Sequence, residues 1–182
     1  MIKSVKKNQV ECGIWDKENG CLLPLALLEA LPEYHRETIP DEYLDIMRHM
    51  NIRWYFELFA IAGRKFFAAH GLEPAYFRAN DAGVFTLKQF IQYFAEVRVG
   101  QTVAIHIRLI GRSEKRFHLM SFMLNETTGQ LAATFEALIT HADLKIRRSA
   151  PMPARITEQF DATLAKDGKL DWQAPVCGAI KL

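Results

Sequence analysis

Cysteine is scarce in this sequence and scattered: Cys12, Cys21 and Cys177 are the three present. Neither a disulfide framework nor a CxxC metal knuckle can be built from them, so they read as reduced thiols. Long apolar runs are lacking as well. The best candidate, residues 21–31, stops at Pro32, short of the ~18 residues that a membrane span requires. Lys3, Lys6 and Lys7 are followed by Glu11, Asp16, Lys17 and Glu18 where a signal peptide would place its apolar segment. A reducing cytoplasm is therefore the expected location. Charge of one sign is missing too: 23 Lys plus Arg against 21 Asp plus Glu leave +2. A dedicated nucleic-acid binder, whose affinity comes from phosphate neutralisation, is disfavoured.

Several catalytic signatures are also absent. There is no GxSxG elbow, no glycine-rich phosphate loop, and Cys177 has no neighbouring histidine in sequence. The six histidines, His35, His49, His70, His106, His118 and His141, never adopt the HxxxH or HExxH spacing that puts two ligands on one helical face. No metal and no cofactor are expected. His106 and His118 are expected on a solvated sheet face, as cross-strand neighbours without a third ligand.

What is present is a 182-residue chain with 49 % hydrophobic residues, enough for one domain and one core. It divides into an extension over 1–33 with a short helix near 22–31, a body over 34–148, and a partly helical tail over 149–182 after the Pro151 and Pro153 punctuation. Within the body, Ile52, Tyr55, Phe56, Phe59, Ala62, Gly63, Phe66 and Phe67 recur at steps of three and four, which predicts a helix from 51 to about 70 closed by Gly71. Phe56, Phe59, Phe66 and Phe67 are expected in the core, each worth roughly 1.5 to 3 kcal/mol of burial before entropy. Arg53 and Glu57 are expected to pair across a helical turn.

Beyond residue 82 the period falls to two. Segments 84–97, 103–109, 115–125 and 131–143 alternate as half-buried antiparallel strands, with turns at Val99-Gly100, Gly111-Arg112-Ser113 and Thr128-Gly129. Matching the apolar faces across Gly111 sets Ile107 opposite Phe117, Ile105 opposite Leu119, His106 opposite His118 and Arg108 opposite Arg116. With one further strand near 34–41, the order is strand, long apolar helix, then four strands with no helix among them. So greasy a helix needs a sheet curved round it. The expected class is α+β: a hotdog fold, a curved antiparallel sheet wrapped around one long central helix.

The segment before that helix carries the chemistry. Asp45, Arg48, His49, Met50, Asn51 and Tyr55 resemble the DxxGHMNxxxY signature of hotdog acyl-CoA thioesterases of the 4-hydroxybenzoyl-CoA thioesterase type, over about residues 34–148. The resemblance implies hydrolysis of an acyl-CoA to free acid and coenzyme A, with Asp45 as nucleophile or general base. His49 and Asn51 would complete the catalytic set, while Arg48, Met50 and Tyr55 line the substrate site. It also implies a homodimer or a dimer of dimers. The physics is compatible: a helix N-terminus offers unpaired N–H groups to an oxyanion, and a carboxylate just before it lies near the same carbonyl. The basic run with Arg147 and Arg148 suits coenzyme A phosphates.

Plainer roles compete at each position. Asp45 and Asn51 are also ordinary capping residues, His49 a structural histidine, Tyr55 a core aromatic, and the basic run a solvated end. One departure stands out: Arg48 occupies the glycine of the pattern, where a positive φ or a close approach of substrate to the main chain is expected. A protein that binds an acyl thioester without hydrolysing it is the alternative reading.

Overall fold

A computed structural model describes residues 23–182; Cys12, Cys21 and the start of the extension lie outside the described residues. In chain order the elements are α1 (Leu25–Glu29), β1 (Glu33–Thr38), α2 (Ile52–Ala69), α3 (Pro74–Asn80), β2 (Ala82–Tyr93), β3 (Thr102–Arg112), β4 (Arg116–Asn125), β5 (Gln130–Asp143), β6 (Arg148–Ser149) and α4 (Ala154–Asp167). The antiparallel sheet runs β1-β3-β4-β5-β2, with β6 appended to β5. It curls around α2, which gives the expected α+β hotdog architecture.

Local chemistry explains the long helix. Asn51 caps it by accepting the Arg53 N–H at 3.0 Å, and Gly71 at φ +82° ends it in a conformation that suits glycine. Its inner face buries Tyr55, Leu58, Phe59, Ala62, Phe66 and Phe67. Phe56 does not join them: it is 46 % exposed, and Ile52 is more exposed still. Nor do Arg53 and Glu57 pair. Arg53 lies 4.7 Å over the Trp54 ring, and Glu57 takes Arg64 at 3.3 Å.

The β3–β4 hairpin keeps the expected faces but not the expected register. Ile107 stands opposite Ser121, Leu109 opposite Leu119, His106 opposite Phe122 and Arg108 opposite Met120. Both strands extend past Gly111, and the chain reverses at residues 113–115, where Ser113 N–H donates to Arg116 O. A Cβ at 111 would lie 2.7 Å from Leu182 Cδ1, the free end of an exposed side chain that can shift. A shift of even parity preserves which side chains point inward, so face matching alone could not detect it.

Two apolar clusters sandwich the sheet. On the concave face α2 meets Val103, Ile105, Ile107, Phe117 and Leu119, and α4 contributes Ile156 and Phe160. On the convex face, Leu28 and Leu31 near α1 and Trp172 of the tail cover Met120, Phe122 and Leu124. The histidines expected in solvent are therefore buried and partnered. His106 donates to Leu31 O at 2.9 Å, and His118 donates to Glu136 Oε1 at 2.7 Å. The other Glu136 oxygen accepts the Cys177 N–H at 2.6 Å, so the tail is tied down. Among the described residues no helix is long and apolar enough to cross a membrane.

Candidate active site

Asp45 sits in a tight hairpin that feeds α2. Its N–H donates to His49 O at 3.0 Å, and Arg48 N–H returns to Asp45 O at 3.0 Å. Leu44 and Met50 bridge on either side. Such three-residue loops end in a left-handed residue, usually glycine. Here Arg48 adopts that conformation at φ +66°. The backbone shape that the glycine of the pattern would supply is retained, at a cost of about 1 kcal/mol for a side chain held in that region.

The loop aims the carboxylate. Asp45 Oδ1 accepts the Met47 N–H at 2.8 Å, and Oδ2 lies 3.4 Å from His49 Nδ1. Both side chains keep part of their surface in solvent, so a substrate has access to them. Met50 is buried, and its N–H donates to Val97 O at 2.7 Å; the Asn51 N–H donates to Tyr43 O at 2.9 Å. Asn51 is thus the helix cap, and its side chain holds the Arg53 N–H. Tyr55 is a core residue whose hydroxyl donates to Ala95 O at 3.4 Å, and burial pushes its phenol up to about 12. Around Asp45, Ile46, Met47 and Ile52 are largely exposed, an apolar rim in want of a cover.

A cavity of about 170 Å³ runs along α2 from Phe56 to Phe67. Its far wall is the concave sheet face, with Thr86 of β2, Ser121 of β4 and Phe135 and Ala137 of β5. Phe59 stacks on Phe135 with centroids 5.3 Å apart. Asp45, Arg48 and His49 are not in this wall; they stand before the helix start, and the cavity lining begins a turn later, at Phe56. The sequence reading missed Ser121 and Phe135. Ser121 carried a signal, being the polar residue on the apolar face formed by Phe117, Leu119 and Met123.

Arg147 and Arg148 lie elsewhere. With Phe85, Leu87 and Thr140 they line a groove of about 260 Å³. On β2, Phe85 and Leu87 alternate with Val84 and Thr86 of the first cavity, so the groove occupies the opposite sheet face. It also lies at the opposite end. Ala82 pairs with Asp143, just before the arginines, whereas Tyr55 and Met50 bond to Ala95 and Val97 beyond the far end of β2. The 12 residues of β2 span roughly 36 Å to 40 Å at the usual rise per residue. One chain does not bring Asp45 and the two arginines to one coenzyme. Among the described residues no group of three or more His, Cys, Asp and Glu could hold a metal ion.

Comparison with known proteins bears on the family and the fold. The model of the thioesterase-like superfamily matches residues 39–160. A betainyl-CoA thioesterase of Pseudomonas aeruginosa is 27 % identical over 134 residues, 74 % of this chain and 84 % of the relative. The L-carnitine dehydrogenase/betainyl-CoA thioesterase of Rhizobium meliloti is 26 % identical over 129 residues, 71 % of this chain but 26 % of the relative. The chain thus spans about a quarter of the length of such two-activity relatives. Among solved structures, a hypothetical protein of Staphylococcus aureus in complex with CoA superposes with a TM-score of 0.75 at 23 % identity, over 84 % of this chain and 96 % of that one. A 1,4-dihydroxy-2-naphthoyl-CoA thioesterase from Synechocystis gives 0.62 at 15 % identity, over 76 % and 97 %. These two likenesses speak for the fold.

Proposed function

Because this chain belongs to the thioesterase-like superfamily, we propose that it hydrolyses an acyl-CoA to the free acid and coenzyme A with Asp45 as nucleophile or general base. The observation that carries this is the Asp45 carboxylate, held by the Met47 N–H and partly exposed in the loop that feeds the N-terminal end of α2, the helix that lines an apolar cavity from Phe56 onward. Relatives named betainyl-CoA thioesterase support the reaction class.

The carboxylate acts in one of two ways. As a base it takes a proton from water while the water oxygen attacks the thioester carbon; as a nucleophile it attacks that carbon itself and forms an anhydride that water then opens. Either way an oxyanion forms, the C–S bond breaks and coenzyme A leaves as a thiolate that needs little acid assistance. Since the N–H groups of Met50 and Asn51 are engaged by Val97 and Tyr43, the N–H groups of His49 and Ile52 are the ones assigned to the oxyanion, with the helix dipole behind them. The positive φ retained at Arg48 weighs against the non-hydrolytic reading, which rested on that substitution.

A second copy of the chain completes the site. β2 is a 12-residue edge strand with Phe85, Leu87, Phe90 and Tyr93 exposed, a combination that soluble proteins cover. Antiparallel pairing of β2 with its symmetry mate brings the start of one strand to the end of the other. That brings the partner subunit's Arg147 and Arg148 to the Asp45 end of this chain, and we assign them to coenzyme A phosphates. In the thiol-release assay with short, branched, aromatic and long acyl-CoAs, Asp45→Asn is expected to lower turnover roughly 10²- to 10⁴-fold with the fold intact. Near-wild-type turnover in that variant would falsify the assignment.

A further inference from the structure

Resting on the acyl-CoA reading above, we infer that Ser121 is a specificity-determining residue that selects acyl groups carrying an uncharged hydrogen-bonding substituent, such as a hydroxyl, along the chain. Ser121 is 4 % exposed and lines the cavity between α2 and the sheet. It lies on β4, an interior strand paired to both β3 and β5, where Ile107 and Phe135 flank it. Its hydroxyl makes no hydrogen bond to any described residue. Trp172 Nε1 is the one fully enclosed side-chain polar atom lacking a partner among the described residues, so the Ser121 hydroxyl is open to the cavity and not sealed in the core.

A hydroxyl in so apolar a chamber is costly unless something satisfies it, and an empty cavity offers only water. A substrate oxygen in that place replaces the water; an all-hydrocarbon acyl chain displaces it and leaves the serine unpaired. Thr86, the other hydroxyl on the cavity wall, stands at the β2 edge where the second copy pairs, whereas Ser121 is enclosed within one chain. The selective group is therefore Ser121. The Phe56, Phe59, Phe67 and Phe135 rings of the same wall suit a quaternary ammonium acyl group like that of the betainyl relatives, which makes betainyl-CoA the competing substrate. Such a cation, however, has neither N–H nor lone pair for Ser121, and it would share the cavity with the Arg64 guanidinium, a like charge only partly offset by Glu57 at 3.3 Å.

The test compares kcat/KM for hexanoyl-CoA with a set of hydroxyhexanoyl-CoAs that differ in hydroxyl position, and with betainyl-CoA, in wild type, Ser121→Ala and the near-isosteric Ser121→Cys. The expected result is that wild type favours one hydroxylated isomer by roughly 3- to 10-fold over the parent chain, and that the preference collapses toward unity in Ser121→Ala. Absence of preference at every position in wild type, an undiminished preference in both variants, or faster turnover of betainyl-CoA than of every hydroxylated isomer would overturn the inference. Should no thioester release thiol, the hydrolase reading fails separately, and calorimetric binding of the same thioesters decides the Ser121 claim by the same ratios. Because the wild-type ratio is decisive on its own, the proposal stays testable even if a variant misfolds.

Discussion

Arg48 shows how a single residue can keep a backbone shape while losing the residue that makes it easy. The loop from Asp45 to His49 closes through two backbone bonds that require a left-handed residue at 48, and arginine takes φ +66°. Arg48→Gly is expected to stabilise the protein by up to about 0.5 kcal/mol in urea unfolding, the strain relieved less the extra freedom of unfolded glycine. A loss of stability would mean that the Arg48 side chain makes a contact worth more than the strain. His70 offers a pH test. Its ring donates from Nδ1 to Phe66 O at 2.7 Å, takes the Thr163 hydroxyl at 2.8 Å on Nε2 and stacks on Phe160. Burial holds its pKa below the ordinary 6.5. In the unfolded chain the imidazole gains its proton as pH falls through about 6.5, while in the folded protein it stays neutral until lower pH, so the unfolded state binds more protons in between. Stability should therefore drop from about pH 6.5 downward toward the depressed folded value, and His70→Gln should flatten that segment of the curve. An unchanged slope would assign the acid sensitivity to other groups.

Periodicity exposes an element's type and its faces far better than its neighbours. The helix from Ile52 to Ala69 was legible because its apolar stripe repeats at 3.6 residues and Asn51 and Gly71 punctuate it. The β3–β4 register was not, because every even shift leaves the alternation satisfied and the turn residues Ser113, Glu114 and Lys115 look no more turn-like than Gly111. α3 went unseen, since a seven-residue helix is too short to show a period. The buried histidines were misjudged for a related reason: a polar residue on a strand reads as solvent-facing unless another layer covers it, and the layer here comes from segments far away in sequence. Glu136 is the junction of that layer, 1 % exposed and shared between the His118 ring and the Cys177 N–H. Glu136→Ala strands both donors and should cost roughly 3 to 5 kcal/mol, the usual penalty for breaking one half of a buried polar pair. Limited proteolysis should then cut the tail after Asp167 first; a tail as resistant as in wild type would show that Trp172 and its apolar neighbours suffice to hold it.

At the scale of the whole molecule, the two sheet faces and the open edge decide how copies assemble. Among the described residues, α1 and the tail cover Met120, Phe122 and Leu124 on the convex face, and the apolar side chains still exposed there, Phe85 and Leu87, lie on the β2 edge. The exposed apolar side chains gather on β2 and around the α2 start, and pairing along β2 conceals both. A dimer of twice 20.9 kDa is therefore expected in sedimentation equilibrium in preference to a tetramer. The sequence held the pieces of the proposed site, Asp45 and the Arg147–Arg148 run, but not the fact that they stand at opposite ends and faces of one subunit, because that follows from β2 and β5 pairing along their whole length. Two crippled chains put the composite site to the test. Asp45→Asn removes the carboxylate, and Arg147→Ala with Arg148→Ala removes the coenzyme contacts. If the arginines serve the partner's site, co-expression of the two chains yields mixed dimers in which one of the two sites has an intact carboxylate and intact arginines. With random pairing half the dimers are mixed, so activity should recover to about a quarter of the wild-type value. If each chain's arginines serve its own Asp45, no mixed dimer contains an intact site, and the mixture should hydrolyse no faster than the average of its separate parents.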